Sequence, residues 1–296
     1  MKKFVAYIVD YFKSIDKRIL IIVTLFTAAL VFINYRFNLD GAIRKINYYP
    51  VKLIAWFGVF LCAFGIPWLL QRKRISSPRF YLLLLLAPLL FAIKISTGFH
   101  FFFTPNTAEN SYWNQVIYWP LLCLGILLLL RLTWQPADAS GSFYGWTTRQ
   151  LNAGPYLLLL LGMVPLVTLA ATQPDFQAMY PKLQHVYAGV AIEDIPAWKK
   201  LLYELSYGTD FITIETFFRG FLVIGFAKWA GKEVVLPMAC FYCTIHFGKP
   251  MGECISSYAG GMILGILVVN TRSIVGGLAV HLGIAWLMEL AGYLAK

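Results

Sequence analysis

Apolar residues fall in long blocks along this chain, separated by short polar stretches that carry most of the charge. Crossing a bilayer as a helix takes about 20 mostly apolar residues. On that measure the blocks predict helices near 19–35, 53–70, 80–97, 114–132, 155–172, 203–230, 233–247, 256–270 and 273–294. The segment 233–247 is short for a crossing, so the expected count is eight or nine. Pro88 and Lys94 interrupt the third block and the sixth is long, which softens the boundaries of both. Ahead of the first block the period changes. Phe4, Val5, Ile8, Tyr11, Phe12 and Ile15 recur at helical spacing, with Lys2, Lys3, Asp10, Lys13 and Lys17 as the polar complement. That pattern predicts an amphipathic helix lying in a membrane interface. The same stretch is too polar for the apolar region of a cleavable signal, and it has no small-residue cleavage pattern.

The pattern divides the chain into an interfacial helix (1–18), N-terminal transmembrane helices (19–172), an extramembrane connection (173–202) and a set of core helices (203–296). The connection carries Pro174, Pro181 and Pro196 and charges of both signs. No internal repeat is visible.

Composition narrows the class. Hydrophobic residues make up 59% of the 296 and charged residues 13%, whereas soluble domains carry about 25% charged residues. The expected fold class is an all-α polytopic membrane protein with eight or nine transmembrane helices. The aromatic content of 17% suits interfacial belts of Trp and Tyr. A net charge of +11 in a soluble protein raises nucleic acid as a partner. Here the Lys and Arg residues sit in short loops, where they set topology and meet anionic headgroups, so the expected partner is the lipid bilayer and not nucleic acid. Their distribution, with the QRKR run at 71–74 as the strongest single marker, favours an N-terminus on the inside. The five cysteines lie in or beside apolar segments and read as small buried hydrophobes. Cys240 and Cys243 have the spacing of a redox pair, without a thioredoxin-like setting.

The chemistry concentrates near the C-terminus, in apolar helices broken by single polar residues: Glu215 and Arg219 in ITIETFFRGF, His246 in CFYCTIHFG, and His281 in GGLAVHLGIAW. Ionisable groups are costly in a bilayer and mark function by default. Glu215 and Arg219 are four apart with the carboxylate N-terminal, the favoured order for a helical ion pair. They read equally as a neutralised pair and as a general base held by its cation. A lone histidine in a membrane helix is commonly a hydrogen-bonded packing residue; one carboxylate and two imidazoles on three successive helices are also the parts of a hydrolytic site. Glu253 reads as a charge at a helix N-terminus that suits the dipole, or as a further group facing the same cavity. Asp210 and Glu289 read as charges at helix ends. Ser257, Gly261 and Gly265 form a small-residue face that lets their helix approach its neighbours closely.

These three motifs together resemble the CPBP family of CaaX-type prenyl proteases and bacteriocin-processing (Abi) membrane proteins. Its pattern is Glu-Glu-x-x-x-Arg, then Phe-x-x-x-His, then His-x-x-x-Asn/Asp, on successive core helices. Here the motifs run Ile214-Glu215-Thr216-Phe217-Phe218-Arg219, Tyr242-Cys243-Thr244-Ile245-His246, and His281-Leu282-Gly283-Ile284-Ala285. The resemblance covers 205–292 and implies a four-helix catalytic-type core. It also implies a Glu and the first His activating water, and the second His and the Asn stabilising an oxyanion. Two positions depart. Ile214 stands for the first Glu, so Glu215 has to act from about 100° around the helix. Ala285 stands for the Asn/Asp, and a missing oxyanion donor costs about 10²–10³ in rate.

The expected function is an intramembrane endopeptidase. Glu215 assisted by His246 removes a proton from water, His281 donates to the oxyanion, and Arg219 and Glu253 support. The expected substrate is a peptide or protein, and no cofactor is required. One Glu and two His also suit zinc, although the spacing is not H-E-x-x-H. Two further alternatives stay open: a non-catalytic relative of binding or immunity type, favoured by Ile214 and Ala285, and a transporter with a polar relay through Lys94. The expected location is a bacterial cytoplasmic membrane.

Overall fold

The structure, a computed structural model, describes residues 2–71, 75–134, 142–149, 151–187 and 189–295. Arg72, Lys73 and Arg74 of the topological marker lie outside them. The described residues form α1 (Lys2–Ser14), α2 (Lys17–Phe37), α3 (Leu39–Arg44), α4 (Tyr49–Leu70), α5 (Pro78–Ser96), α6 (Thr107–Thr133), α7 (Ala153–Ala170), α8 (Pro174–Met179), α9 (Leu183–Val186), α10 (Ala197–Glu215), α11 (Ala227–Ala230), α12 (Val235–Thr244), α13 (Met251–Thr271) and α14 (Val275–Leu294). A π-helix, Thr216–Ile224, joins α10 to the turn before α11. No strand occurs among the described residues.

Among the described residues seven helices are long and apolar enough to cross a membrane: α2, α4, α5, α6, α7, α13 and α14. The other two expected crossings take different forms. Block 203–230 is divided among the end of α10, the π-helix and α11, and 233–247 holds the ten-residue α12. The seven carry large apolar side chains on their outer faces, Leu25, Ile54, Leu128 and Leu169 among them. Backbone groups bond within each helix, so these surfaces are compatible with hydrocarbon. Pro67, Pro88, Pro120 and Pro165 sit inside four of the helices.

The chain separates into two compact units. The first contains Met1–Thr97, Trp134–Gln150 and Phe217–Ser273. Its centre is a set of interlocked rings around Phe241 of α12, which meets Phe60 at 5.1 Å, Phe64 at 5.7 Å and Phe218 at 5.2 Å between centroids. Edge-to-face and tilted ring pairs of this kind add about 0.5–1.5 kcal/mol each beyond burial. They fix α12 between α4 and the π-helix. On its other side α12 packs on α13. A Cβ at Gly261 would lie 2.9 Å from Tyr242 Cδ1, and one at Gly265 would lie 2.7 Å from Met238 Cε, so the small-residue face of α13 is what admits α12. Helix α1 lies against α13, burying Phe4 and Tyr11.

The second unit contains Gly98–Thr133, Leu151–Thr216 and Ile274–Lys296. Helix α14 packs on α7 and on α10. Gly208 of α10 faces Trp286, which would stand 3.2 Å from an added Cβ; Gly276 and Gly283 similarly admit Tyr156 and Leu160 of α7. The connection 173–202 is tied down by polar groups. Tyr187 Oη donates to Glu109 at 2.8 Å, Lys199 Nζ donates to Tyr187 Oη at 3.0 Å and also pairs with Glu109, and the Lys182 amide donates to Glu289 at 2.9 Å. Burial opposes the charge on Lys199, but its bonds to Glu109 and Tyr187 outweigh burial and hold its pKa above the ordinary value. Glu289, a helix-end charge by sequence, is buried and accepts this amide.

Candidate functional site

Within the second unit the structure brings together two of the sequence-predicted residues. Glu215 ends α10 and is fully buried. Its Oε1 lies 2.7 Å from Nδ1 of His281, in the middle of α14. The contact depends on the close approach of α10 and α14 that Gly208 permits. Phe211, one turn before Glu215, meets the imidazole edge-on with centroids 4.7 Å apart. A carboxylate on Nδ1 and a ring against one face fix both the tilt and the rotamer of His281. An ionised Glu215 accepts Nδ1–H and so fixes the tautomer of His281, with the lone pair of the neutral ring on Nε2. This carboxylate–imidazole pair has the form that orients catalytic histidines.

Ile214 and Ala285, the two departures from the motif, are both buried and apolar. Ala285 packs in a cluster with Tyr112, Trp119, Tyr203, Tyr207 and Phe211. The side chain at this position supplies no hydrogen-bond donor.

Within the first unit, Arg219, Tyr242 and His246 form a second group. Arg219 is fully buried in the π-helix, with its guanidinium carbon 4.1 Å from the centroid of Tyr242. Tyr242 in turn meets His246, with centroids 4.8 Å apart. The position of His246 follows from how α12 ends. The chain tightens there: the His246 amide bonds to the Cys243 carbonyl at 3.0 Å and the Phe247 amide to Thr244 at 3.2 Å. This i,i+3 bonding takes the His246 amide away from the Tyr242 carbonyl, one of the orphan acceptors that every helix end leaves. His246 Nδ1 fills the role at 2.9 Å. A carbonyl only accepts, so Nδ1 carries the proton, and in the neutral ring Nε2 carries the lone pair.

Glu253, in the first turn of α13, pairs with Lys249 at 2.8 Å. This fits the helix-terminal reading. Arg219 lies within π-helical backbone, where Gly225 donates to the Gly220 carbonyl at 3.0 Å across five residues. The α-helical spacing assumed for Glu215 and Arg219 therefore ends at Glu215. Segments of π-helix recur at functional sites. The aromatic platform Phe211 and the π-helix were not among the expected features, and the one sequence signal for the π-helix is the glycine pair Gly220 and Gly225. A Cβ at Gly225 would lie 2.4 Å from the Phe221 carbonyl oxygen, so only glycine closes that turn. Among the described residues no group of three or more His, Cys, Asp and Glu side chains is placed to hold a metal ion.

No curated protein and no solved structure matches the chain. This is an integral membrane protein whose residues 200–287, the stretch holding Glu215, Arg219, His246 and His281, match the family described as type II CAAX prenyl endopeptidase Rce1-like.

Proposed function

We propose that the protein is an intramembrane endopeptidase of the CaaX-protease type. The observation that carries this reading is the 2.7 Å contact between the buried Glu215 carboxylate and His281 Nδ1 inside the family-matched stretch. In this reading Glu215 fixes the tautomer of His281 and stabilises it when it takes a proton. The motif resemblance assigns the proton of the attacking water to His246, whose Nδ1 proton is committed to the Tyr242 carbonyl. His281 Nε2 takes a proton and then delivers it to the leaving amine. Arg219 acts through Tyr242, whose ring it holds against His246, and Glu253 is left to its helix terminus. The substrate is a membrane-delivered peptide or protein, and the family match favours lipidated C-terminal peptides. The protein sits in a bacterial cytoplasmic membrane with its N-terminus inside and its outer apolar faces in lipid.

The test is hydrolysis of prenylated and unmodified C-terminal peptides by the purified protein in lipid micelles, read by mass spectrometry of the products. Zinc content and response to chelator are measured on the same preparation. Wild type should cleave and Glu215→Gln should not. A second reading, a non-catalytic peptide-binding relative, is favoured by the apolar cluster around Ala285. It holds if wild type binds these peptides, cleaves none of them, and Glu215→Gln binds equally well.

A further inference from the structure

Cys240 and Cys243 have the spacing of a redox pair within one helix, but the contact of Cys243 runs elsewhere. Its Sγ lies 3.9 Å from Sγ of Cys254, on α13. The approach is reciprocal: Cys243 Sγ points to the Cys254 carbonyl at 3.3 Å and Cys254 Sγ to the Cys243 carbonyl at 3.7 Å. Each side chain therefore lies over the other's backbone, the mutual orientation a disulfide needs. Two cysteines whose side chains point apart cannot be bridged without moving the backbone. Here the sulfurs need to close by about 2 Å, a distance within reach of χ1 adjustment. Both thiols are fully buried, among Val31, Phe247, Tyr35 and Leu39.

We propose that Cys243 and Cys254 are a modification site, joined reversibly as a disulfide that crosslinks α12 to α13. Burial in apolar surroundings selects the oxidant: a small uncharged one, such as hydrogen peroxide. One sulfur attacks the peroxide; an S–O bond forms, the O–O bond breaks and water leaves. The second thiol then attacks the sulfenic sulfur; the S–S bond forms, the S–O bond breaks and a second water leaves. Two thiols lose two electrons and two protons, and one peroxide becomes two waters. A dithiol reductant reverses the bond by exchange. The link closes the stretch 243–254, which contains His246 and Gly248, a glycine at φ 82°, and restrains the end of α12 just ahead of His246. A bridge between Cys240 and Cys243 would join two turns of one helix and restrain nothing between helices.

The site is tested without any activity assay. The Cys62→Ser protein, which lacks the exposed thiol, is treated in micelles with peroxide or with diamide. It is then denatured and alkylated, and its labels are counted. The four remaining cysteines should give four labels before oxidation and two after, with peptides containing 243 and 254 joined at 2 Da below their reduced sum. Dithiothreitol should restore four. Adding Cys240→Ser should leave the loss of two labels intact, and adding Cys254→Ser should abolish the crosslink. The proposal is overturned if neither oxidant removes two labels. It is equally overturned if the lost thiols map to sulfinic acids or to a Cys240–Cys243 bond.

Discussion

The two imidazoles of the family-matched stretch are held in opposite ways. His281 has a carboxylate on Nδ1, so its tautomer and its position are set together by Glu215. His246 has a backbone carbonyl on Nδ1, so its tautomer is set while its charge is left to its other surroundings. Both acceptors hold a proton on Nδ1, and only the carboxylate brings a formal charge. The first arrangement suits a group that holds and delivers a proton, the second a group that receives one. Their Nδ1 partners distinguish the two histidines.

The largest effect should come from breaking the first arrangement. Glu215→Gln keeps the shape of the side chain and an amide oxygen able to accept from Nδ1–H, and removes the charge, so His281 loses its counter-charge. Hydrolysis should fall by about 10³-fold, within the range for removing a positioned acid–base group. Thermal unfolding of the same variant provides the control. A loss of rate with unchanged melting supports the reading, and full retained activity removes Glu215 from the chemistry. Next in size is His246→Asn. Its amide can still donate to the Tyr242 carbonyl, so the helix end keeps its cap, but no basic ring nitrogen remains. The rate should fall by about 10²-fold with melting little changed. Wild-type activity in this variant would make His246 a cap and no more.

Ala285→Asn tests the departure in the motif. Adding a polar side chain to the cluster of Tyr112, Trp119, Tyr203, Tyr207 and Phe211 overfills it and buries an amide among rings. Stability should fall by about 2 kcal/mol, measured by denaturant unfolding in micelles, and the rate should not rise. A rate gain of tenfold or more would mean that position 285 faces the reacting carbonyl, and that the apolar cluster opens when substrate binds.

Much of this was legible in the sequence, for a physical reason. In lipid the backbone must satisfy itself, so long apolar blocks read directly as helices, and an isolated Glu, Arg or His within them stands out by its cost. Glu215, His246 and His281 were visible on those grounds. What was not legible depends on pairing between helices or on a change of helical period. Thr216–Ile224 has the apolar content of an α-helix, and nothing but Gly220 and Gly225 hints at five-residue bonding. The partner of Cys243 could not be read from spacing, because Cys254 reaches it through the packing of α12 on α13. The sequence pairs Glu215 with Arg219 along its own helix; packing of α10 on α14 adds His281, which spacing does not reveal. Block 233–247 was read as a possible crossing because composition does not reveal that α12 tightens and stops at Thr244.

The smallest effect should come from Lys199→Met, which leaves both imidazoles alone. Lys199 lies in the first turn of α10, sixteen residues or about 24 Å along the helix axis from Glu215. Its bonds to Glu109 and Tyr187 anchor the 173–202 connection. Removing them should cost about 1 kcal/mol and change the hydrolysis rate by less than twofold. The pH dependence has a fixed sign. The pKa of Lys199 is raised in the folded protein above the ordinary 10.5, so its stabilisation is fully present at neutral pH and is lost as pH climbs through the raised value. Unfolding midpoints of wild type and Lys199→Met should therefore differ at pH 7 and converge on strongly alkaline titration. A large loss of activity in this variant would mean that α10 transmits strain from the connection to Glu215. The orientation of His281 would then depend on more than its carboxylate, and the distinction between the two histidines would no longer rest on their Nδ1 partners alone.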